Sequence, residues 1–181
     1  MIAATYSINE ARLGSIDFAG PYLLTHQSML VDAKKSDITD FRDLEGKVLC
    51  SVTNSTTAAN IEKELSNVFV QEYDTYSSCA EAVRQGNADA MTTDATILNG
   101  YIFQSPGNFR LVELAPEVKS LGGEYYGIGL PKGDTDGVNA INSALMEMID
   151  DGSFDKFVDE NLGKTAAVQA AEPGDFSFLD N

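Results

Sequence analysis

Apolar and polar positions alternate along this chain in short blocks. Residues 1–6 read as a strand leading into the polar turn Ser7-Ile8-Asn9-Glu10-Ala11-Arg12. In the middle, 47–52, 68–73, 88–92 and 110–114 are short apolar or β-branched runs, the pattern of buried strands. Between them, 57–65 predicts a helix with Ser55 or Thr56 as N-cap. A second helix, capped by Ser77 or Ser78, ends near Gln85 with Gly86 as its stop, and Asp94 opens a third that runs to about Phe103. Strand–helix alternation with short loops predicts a parallel sheet covered by helices, an α/β lobe over residues 33–124.

Residues 27–33 and 125–131 are extended segments flanking that lobe, and both lead away from it as crossing strands of a hinge would. After Lys132-Gly133-Asp134 comes a helix over 138–149, with Val138, Ile141, Leu145, Met148 and Ile149 on one face. Asp150-Asp151-Gly152 stops it, 154–161 forms one further short helix, and 163–181 reads as a loose tail. Gly163-Lys164-Thr165 lacks the preceding glycine that a phosphate loop requires.

Composition narrows the function. The 181 residues, 43% hydrophobic, suffice for one domain or two small lobes. A formal net charge of −16 argues against nucleic acid or anionic membrane surfaces as partners. No apolar run reaches about 18 residues, so no membrane span is readable. Met1 is not followed by the basic stretch and apolar core of a signal peptide. Cys50 and Cys79 permit one disulfide. His26 is the only histidine and has no second ligand at a useful spacing, so neither a zinc site nor a Ser-His-Asp triad is expected, and no metal or cofactor.

The polar residues that remain suit a zwitterion. Arg12 offers a planar donor fork for a carboxylate, with Ser7 Oγ and nearby N–H groups completing the shell. Asp94 lies beyond the carboxyl end of a strand, where open sheets place ligands, and its carboxylate suits an ammonium. The 53–57 turn opens a helix, orienting its N–H groups toward an anion. The plainer alternatives are that Asp94 and Thr56 only cap helices and that Arg12 is a solvated charge. Tyr22, Tyr125 and Tyr126 are expected to pack at the hinge.

Several motifs occur together and in order. Ser7-Ile8-Asn9-Glu10-Ala11-Arg12 followed by Asp17-Phe18-Ala19-Gly20-Pro21-Tyr22 resembles a segment of the extracytoplasmic amino-acid-binding proteins that serve ABC importers, the bacterial solute-binding protein family 3. Leu44-Glu45-Gly46-Lys47, Asp89-Ala90-Met91-Thr92-Thr93-Asp94, the 126–134 return strand and Asp150-Asp151-Gly152-Ser153-Phe154-Asp155-Lys156 resemble its later signatures, so the likeness spans Met1 to about Gly163. It implies a periplasmic-binding-protein-like type II fold of two lobes, with lobe two complete and lobe one partial: 1–32 and 125–163 belong to lobe one, 33–124 to lobe two, and 164–181 is a tail. Arg12 and Ser7 would take the ligand's α-carboxylate. Asp94 would take its amine, together with a main-chain carbonyl at Thr5. Thr53, Thr56 and Thr57 would contact the ligand from lobe two.

The same resemblance implies a solute-binding component that closes two lobes on a free amino acid, glutamate- or glutamine-like, and delivers it to ABC permease subunits. The Cys50/Cys79 pair and the 52–56 loop resemble the glutamate-type branch of actinobacteria. An exported location favours oxidation of that pair, with two separate buried thiols as the alternative. Other functions hosted by this fold are a receptor's sensing module and a cyclohexadienyl dehydratase-like enzyme, for which only Asp94 and Glu124 are candidate acids or bases. The family's opening strand and helices precede anything in this sequence, and Met1 falls inside one of its strands. From this one expects weak or undetectable glutamate and glutamine binding by this chain, and exposed lobe-one edges that invite self-association.

Overall fold

The computed structural model describes residues 1–35, 37–114, 123–162 and 168–180. The chain divides into two compact units, Met1–Thr25 with Gly123–Asn181, and His26–Gly122. The division falls at His26 and Gly123, whereas residues 33 and 125 are the boundaries expected from composition and pattern. The reason is the strand β1, Ile16–Asp32, whose first part belongs to one unit and whose last residues are built into the sheet of the other.

The second unit is an α/β layer structure. Its strands are the end of β1, then β2 (Val48–Val52), β3 (Phe69–Tyr73), β4 (Ala90–Asp94) and β5 (Phe109–Glu113), in the order β3-β2-β4-β1-β5. Helices α2 (Thr56–Glu64), α3 (Tyr76–Gln85) and α4 (Ala95–Gln104) connect them. The sheet is mixed rather than parallel. β2 runs parallel to β3 and β4, but β1 lies antiparallel to both β4 and β5, with Leu30 opposite Met91 and Leu111. Periodicity identifies each strand but not its partner, and β1 arrives from the other unit without a crossover helix that would fix its direction.

Alternation along each strand sorts the core into two layers. Met29, Val31, Leu49, Ala90 and Val112 face Ile38, Phe41, Leu44 and Ile61. Leu30, Cys50, Met91 and Phe109 face Cys79, Val83 and Leu98 on the other side. Cys50 of β2 and Cys79 of α3 form a disulfide with Cα atoms 5.8 Å apart. Thr75, rather than Ser77 or Ser78, caps α3: its side chain accepts from the Ser78 N–H at 3.1 Å, and Gly86 in the left-handed region ends the helix.

The first unit is assembled from distant stretches. Its helices are α1 (Glu10–Leu13), α5 (Thr135–Asp150) and α6 (Ser153–Leu162), and β6 (Gly123–Pro131) and β7 (Gln169–Ala170) both pair with β1. Residues 1–6 do not form a strand. The Tyr6 N–H turns back to the Ala4 carbonyl at 2.8 Å, which breaks the ladder into isolated bridges, Ile2 with Gly129 and Ser7 with Tyr126. At Gly127 a Cβ would lie 2.7 Å from Phe18 Cδ1 and 2.8 Å from Ile8 Cδ1, so any side chain here would push both of these aside. A small core of Leu23, Tyr126 and Phe154 is flanked by Tyr22, Met148, Ile149 and Val158.

Residues 168–180 are not a loose tail. β7 pairs with Leu23 and Leu24, the Ala171 N–H donates to the Tyr22 carbonyl at 3.2 Å, and the Gly174 N–H to the Gly20 carbonyl at 2.8 Å. Phe178 stacks on Tyr125 with ring centroids 3.9 Å apart. The weak periodicity of this segment hid the docking because its anchors are backbone bonds and one aromatic pair. Gly163-Lys164-Thr165 lies outside the described residues. Among the described residues no helix is long and apolar enough to cross a membrane.

Candidate functional site

In the second unit the candidate residues collect at the carboxyl ends of two parallel neighbours, β2 and β4. Thr53 leaves β2 with its N–H on the Tyr73 carbonyl at 3.1 Å and its side chain exposed. Asn54 follows at φ 64°, a left-handed conformation that asparagine tolerates better than most residues. That turn places Ser55 as N-cap of α2, with its hydroxyl 2.8 Å from Thr57 Oγ1. The half-buried Thr56 thus sits in the first turn of a helix, where N–H groups and the dipole favour an anion.

Thr57 is buried and committed to the scaffold. Its hydroxyl donates to the Thr92 carbonyl at 3.4 Å, and its own carbonyl accepts from Gln27 Nε2 at 2.8 Å. The same Gln27 nitrogen reaches Thr92 Oγ1 at 2.9 Å, and Asn60 Nδ2 donates to Gln27 Oε1 at 3.3 Å. Gln27 and Thr92 were not foreseen as part of the site. Their signal was a polar run inside a strand, Thr25-His26-Gln27-Ser28 in β1 and Thr92-Thr93-Asp94 in β4, which must be satisfied by partners when buried. Asp94 ends β4 directly opposite Gln27 in the ladder and is 5% exposed. It occupies the N-cap position of α4 without making a side-chain capping bond, so the capping alternative does not account for its identity.

In the first unit the candidates are Thr5, Ser7 and Arg12. Thr5 lies exposed in the bend at residues 4–5. Ser7 is buried beside Tyr126, and α1 begins just after it, capped by the Asn9 side chain, which accepts from the Arg12 N–H at 2.9 Å. That single turn aims Arg12 back along the chain. Its Nη1 donates to the Ser7 carbonyl at 2.6 Å, and its guanidinium lies 4.3 Å from the centroid of the Tyr6 ring. The guanidinium is therefore half-buried and held, not a freely solvated charge.

Glu124, at the start of β6, completes this group. It is 9% exposed, and burial pushes its carboxyl above the usual range. A hydrogen bond from the Ser7 side chain and the positive charge of Arg12 pull the other way. The sequence offered Glu124 only as a possible acid or base; its place on the same face of β6 as Tyr126, the bridge partner of Ser7, follows from a long-range pairing. Among the described residues no group of three His, Cys, Asp or Glu side chains could hold a metal ion.

Comparison with known proteins gives these features a context. Residues 1–164 match the model of a family described as bacterial extracellular solute-binding proteins, family 3. The glutamate-binding protein GluB of Corynebacterium efficiens is 56% identical over 182 residues, which cover 99% of this chain and 62% of GluB. The ABC transporter glutamine-binding protein GlnH of Bacillus subtilis is 33% identical over 156 residues, covering 86% of this chain and 55% of GlnH. This chain thus spans less than two thirds of the length of these curated relatives. Among solved structures, an ancestral arginine-binding protein bound to glutamine superposes with a TM-score of 0.80 at 30% identity, covering 89% of this chain and 70% of that one. The fold is that of the type II periplasmic binding proteins.

Proposed function

This chain belongs to family 3 of the bacterial extracellular solute-binding proteins, and on that footing we propose that it binds a free amino acid, glutamate or glutamine, for an ABC importer. Arg12 and Ser7 take the α-carboxylate; Asp94 takes the ammonium, with the Thr5 carbonyl as a second acceptor. Thr53 and Thr56 supply the remaining polar contacts, and Thr57, proposed from the resemblance as a third, holds their turn through its bonds to Thr92 and Gln27. The observation that supports the reading best is the held guanidinium of Arg12, anchored on the Ser7 carbonyl at 2.6 Å and on the Tyr6 ring. A preorganised fork loses little side-chain freedom when it accepts a carboxylate. Relatives named as glutamate- and glutamine-binding proteins support the choice of ligand.

The partners proposed are the membrane subunits of an ABC permease, and the working location is outside the cytoplasm, where the Cys50–Cys79 disulfide persists. The role is binding and delivery, not turnover. The test is a titration of the isotope-labelled chain with L-glutamate and L-glutamine into the millimolar range, followed by amide shifts, which register weak binding as well as strong. Saturable shifts at residues 7–12, 53–57 and 94, lost in Arg12→Ala and in Asp94→Ala, are expected. Shifts at these amides that persist unchanged in Arg12→Ala and Asp94→Ala, or saturable shifts confined to other residues, would overturn the reading.

A further inference from the structure

Helix α1 has four residues, none of them buried, so the side chain of Arg12 needs support from elsewhere. Tyr6 supplies it. Its N–H turns back to the Ala4 carbonyl at 2.8 Å and its carbonyl accepts from the Gly127 N–H at 3.0 Å, which fixes its backbone against β6. The half-buried ring leans on the buried ring of Phe18, with centroids 5.2 Å apart and planes at 42°. It also lies against the bare backbone of Gly129, where an added Cβ would sit 3.2 Å from Tyr6 Cε1. The Arg12 guanidinium lies over this ring, 4.3 Å from its centroid, with Nη1 on the Ser7 carbonyl at 2.6 Å. We propose that Tyr6 is a positioning residue of this site, a platform that holds the guanidinium so that an incoming amino-acid carboxylate is gripped side-on by Nε and Nη2. This rests on the reading that Arg12 receives that carboxylate.

A guanidinium carries its N–H donors in one plane, and a carboxylate takes two parallel ones. The choice is end-on, through Nη1 and Nη2, or side-on, through Nε and Nη2. With Nη1 already on the Ser7 carbonyl, an end-on grip would crowd two oxygens onto one nitrogen. The side-on pair makes no hydrogen bond among the described residues. An aromatic face suits the supporting role because it attracts the cation and covers one side of its plane without consuming the donors at its edge. The ring makes this contact and the hydroxyl does not, so phenylalanine should serve as well as tyrosine. Leucine would keep apolar contact with Phe18 but would lose the attraction. A guanidinium without its platform regains rotamer freedom that binding must remove again, which weakens affinity.

The Nε–H of Arg12, followed by NMR, tests both halves. Without ligand, its proton should be displaced by the ring current in wild type and in Tyr6→Phe, and should return to the position of a free arginine in Tyr6→Leu. An unchanged resonance in Tyr6→Leu overturns the platform. A nuclear Overhauser contact between the Tyr6 ring and the Arg12 side chain in wild type needs no variant, so the platform is decided even if Tyr6→Leu fails to fold; its absence overturns the platform as well. L-glutamine, titrated into the millimolar range, should then move the Nε–H proton downfield as Nε takes the carboxylate. Saturable shifts at residues 7–12 that leave this proton unmoved overturn the side-on grip. Affinity should fall about three- to tenfold in Tyr6→Leu and stay within about twofold of wild type in Tyr6→Phe. Equal affinity in Tyr6→Leu and wild type, or an equal loss in both variants, overturns the positioning role. A Tyr6-dependent Nε–H together with glutamine shifts that persist unchanged in Arg12→Ala overturns the functional reading instead, and leaves the platform established.

Discussion

The two units of this protein are built by opposite means. Residues 26–122 form a contiguous stretch whose sheet is apolar on both faces, and Met29, Leu30, Leu49, Ile61, Met91 and Leu98 are fully buried in it. The other unit joins residues 1–25 to 123–181 and has Leu23, Tyr126 and Phe154 as its core cluster; exposed apolar side chains occur in both, Phe157 and Leu162 here, Phe69 and Phe103 there. It is held by edge pairing and by a docked chain end rather than by a deep interior. A contiguous unit can be read from local pattern, and a discontinuous one cannot. The difference also predicts where stability resides, because buried apolar area is the main favourable term.

The sharpest way to break that comparison is a matched pair of truncations. Leu49→Ala opens a hole inside a sheet covered on both faces and should cost about 4 to 5 kcal/mol, the upper range for such a change. Leu145→Ala, at the 8%-exposed buried residue of α5, should cost roughly 2 kcal/mol, because solvent and neighbouring side chains can close over it. Denaturant melts followed by amide exchange in each unit separate the two losses. Equal costs would mean that the first unit has a core as firm as the second. Next in size is the disulfide, which closes a 29-residue separation and should stabilise by about 3 to 4 kcal/mol in the chain-entropy account. Thiol counting in the unreduced, denatured protein should find none free, and reduction should lower the melting point of the second unit selectively.

The same contrast governs how much was visible in advance. Among the described residues of 26–122, α2, α3, α4 and the strands β2 to β5 were legible from periodicity, from Gly86 as a stop and from the motif around Asp94, whereas the short helical turn Phe41–Leu44, capped by Asp40, was not. The direction of β1 was not, because pairing across the sheet leaves no local trace. Residues 1–6 are apolar enough to suggest a strand, yet the turn at Ala4–Thr5 decides otherwise, since the Ala4 carbonyl also accepts from the Tyr22 hydroxyl at 2.9 Å. In the candidate site, Arg12, Ser7 and Asp94 were legible because their residue types match the chemistry of a zwitterion. Gln27 and Thr92 were hidden because their roles come from neighbours far away in sequence, and Glu124 was visible only as a possible acid or base.

Two smaller tests sharpen the picture. Phe178→Ala removes a stacked partner of Tyr125 and should cost roughly 0.5 to 1.5 kcal/mol, with faster exchange of the Ala171 and Gly174 amides. A double-mutant cycle with Tyr125→Ala isolates the pair, and a zero coupling would return residues 168–180 to the status of a loose end. Thr75→Ala should cost about 1 kcal/mol by removing the α3 cap, while Ser77→Ala should be nearly neutral. The reverse ranking would restore the cap position expected from sequence.

The smallest effect has opposite signs in the two units. Burial alone would raise the carboxyl of Asp89, but Lys35 Nζ at 2.7 Å and the Val48 N–H at 2.9 Å outweigh it and hold it below its ordinary value. A depressed carboxyl contributes stability above its unfolded pKa and loses it as pH falls through the folded one, so the second unit should weaken in acid. Glu124 is raised by burial, against the pull of Ser7 and Arg12. Its contribution is complete below the unfolded pKa and is lost as pH rises through the folded one. In the first unit the exposed Asp17, Asp151 and Asp175 are also held low, so the Glu124 effect must be read as a difference between variant and wild type. Against wild type, Asp89→Asn should flatten the acid-side decline of the second unit by a few tenths to about 1 kcal/mol, the scale of a partly exposed ion pair. Glu124→Gln should gain relative stability in the first unit as pH rises toward neutrality. Amide exchange at several pH values between 4 and 7 resolves both, and a Glu124→Gln difference that stays constant with pH would show that this carboxyl titrates alike in the folded and unfolded chain, against the upward shift that burial gives it.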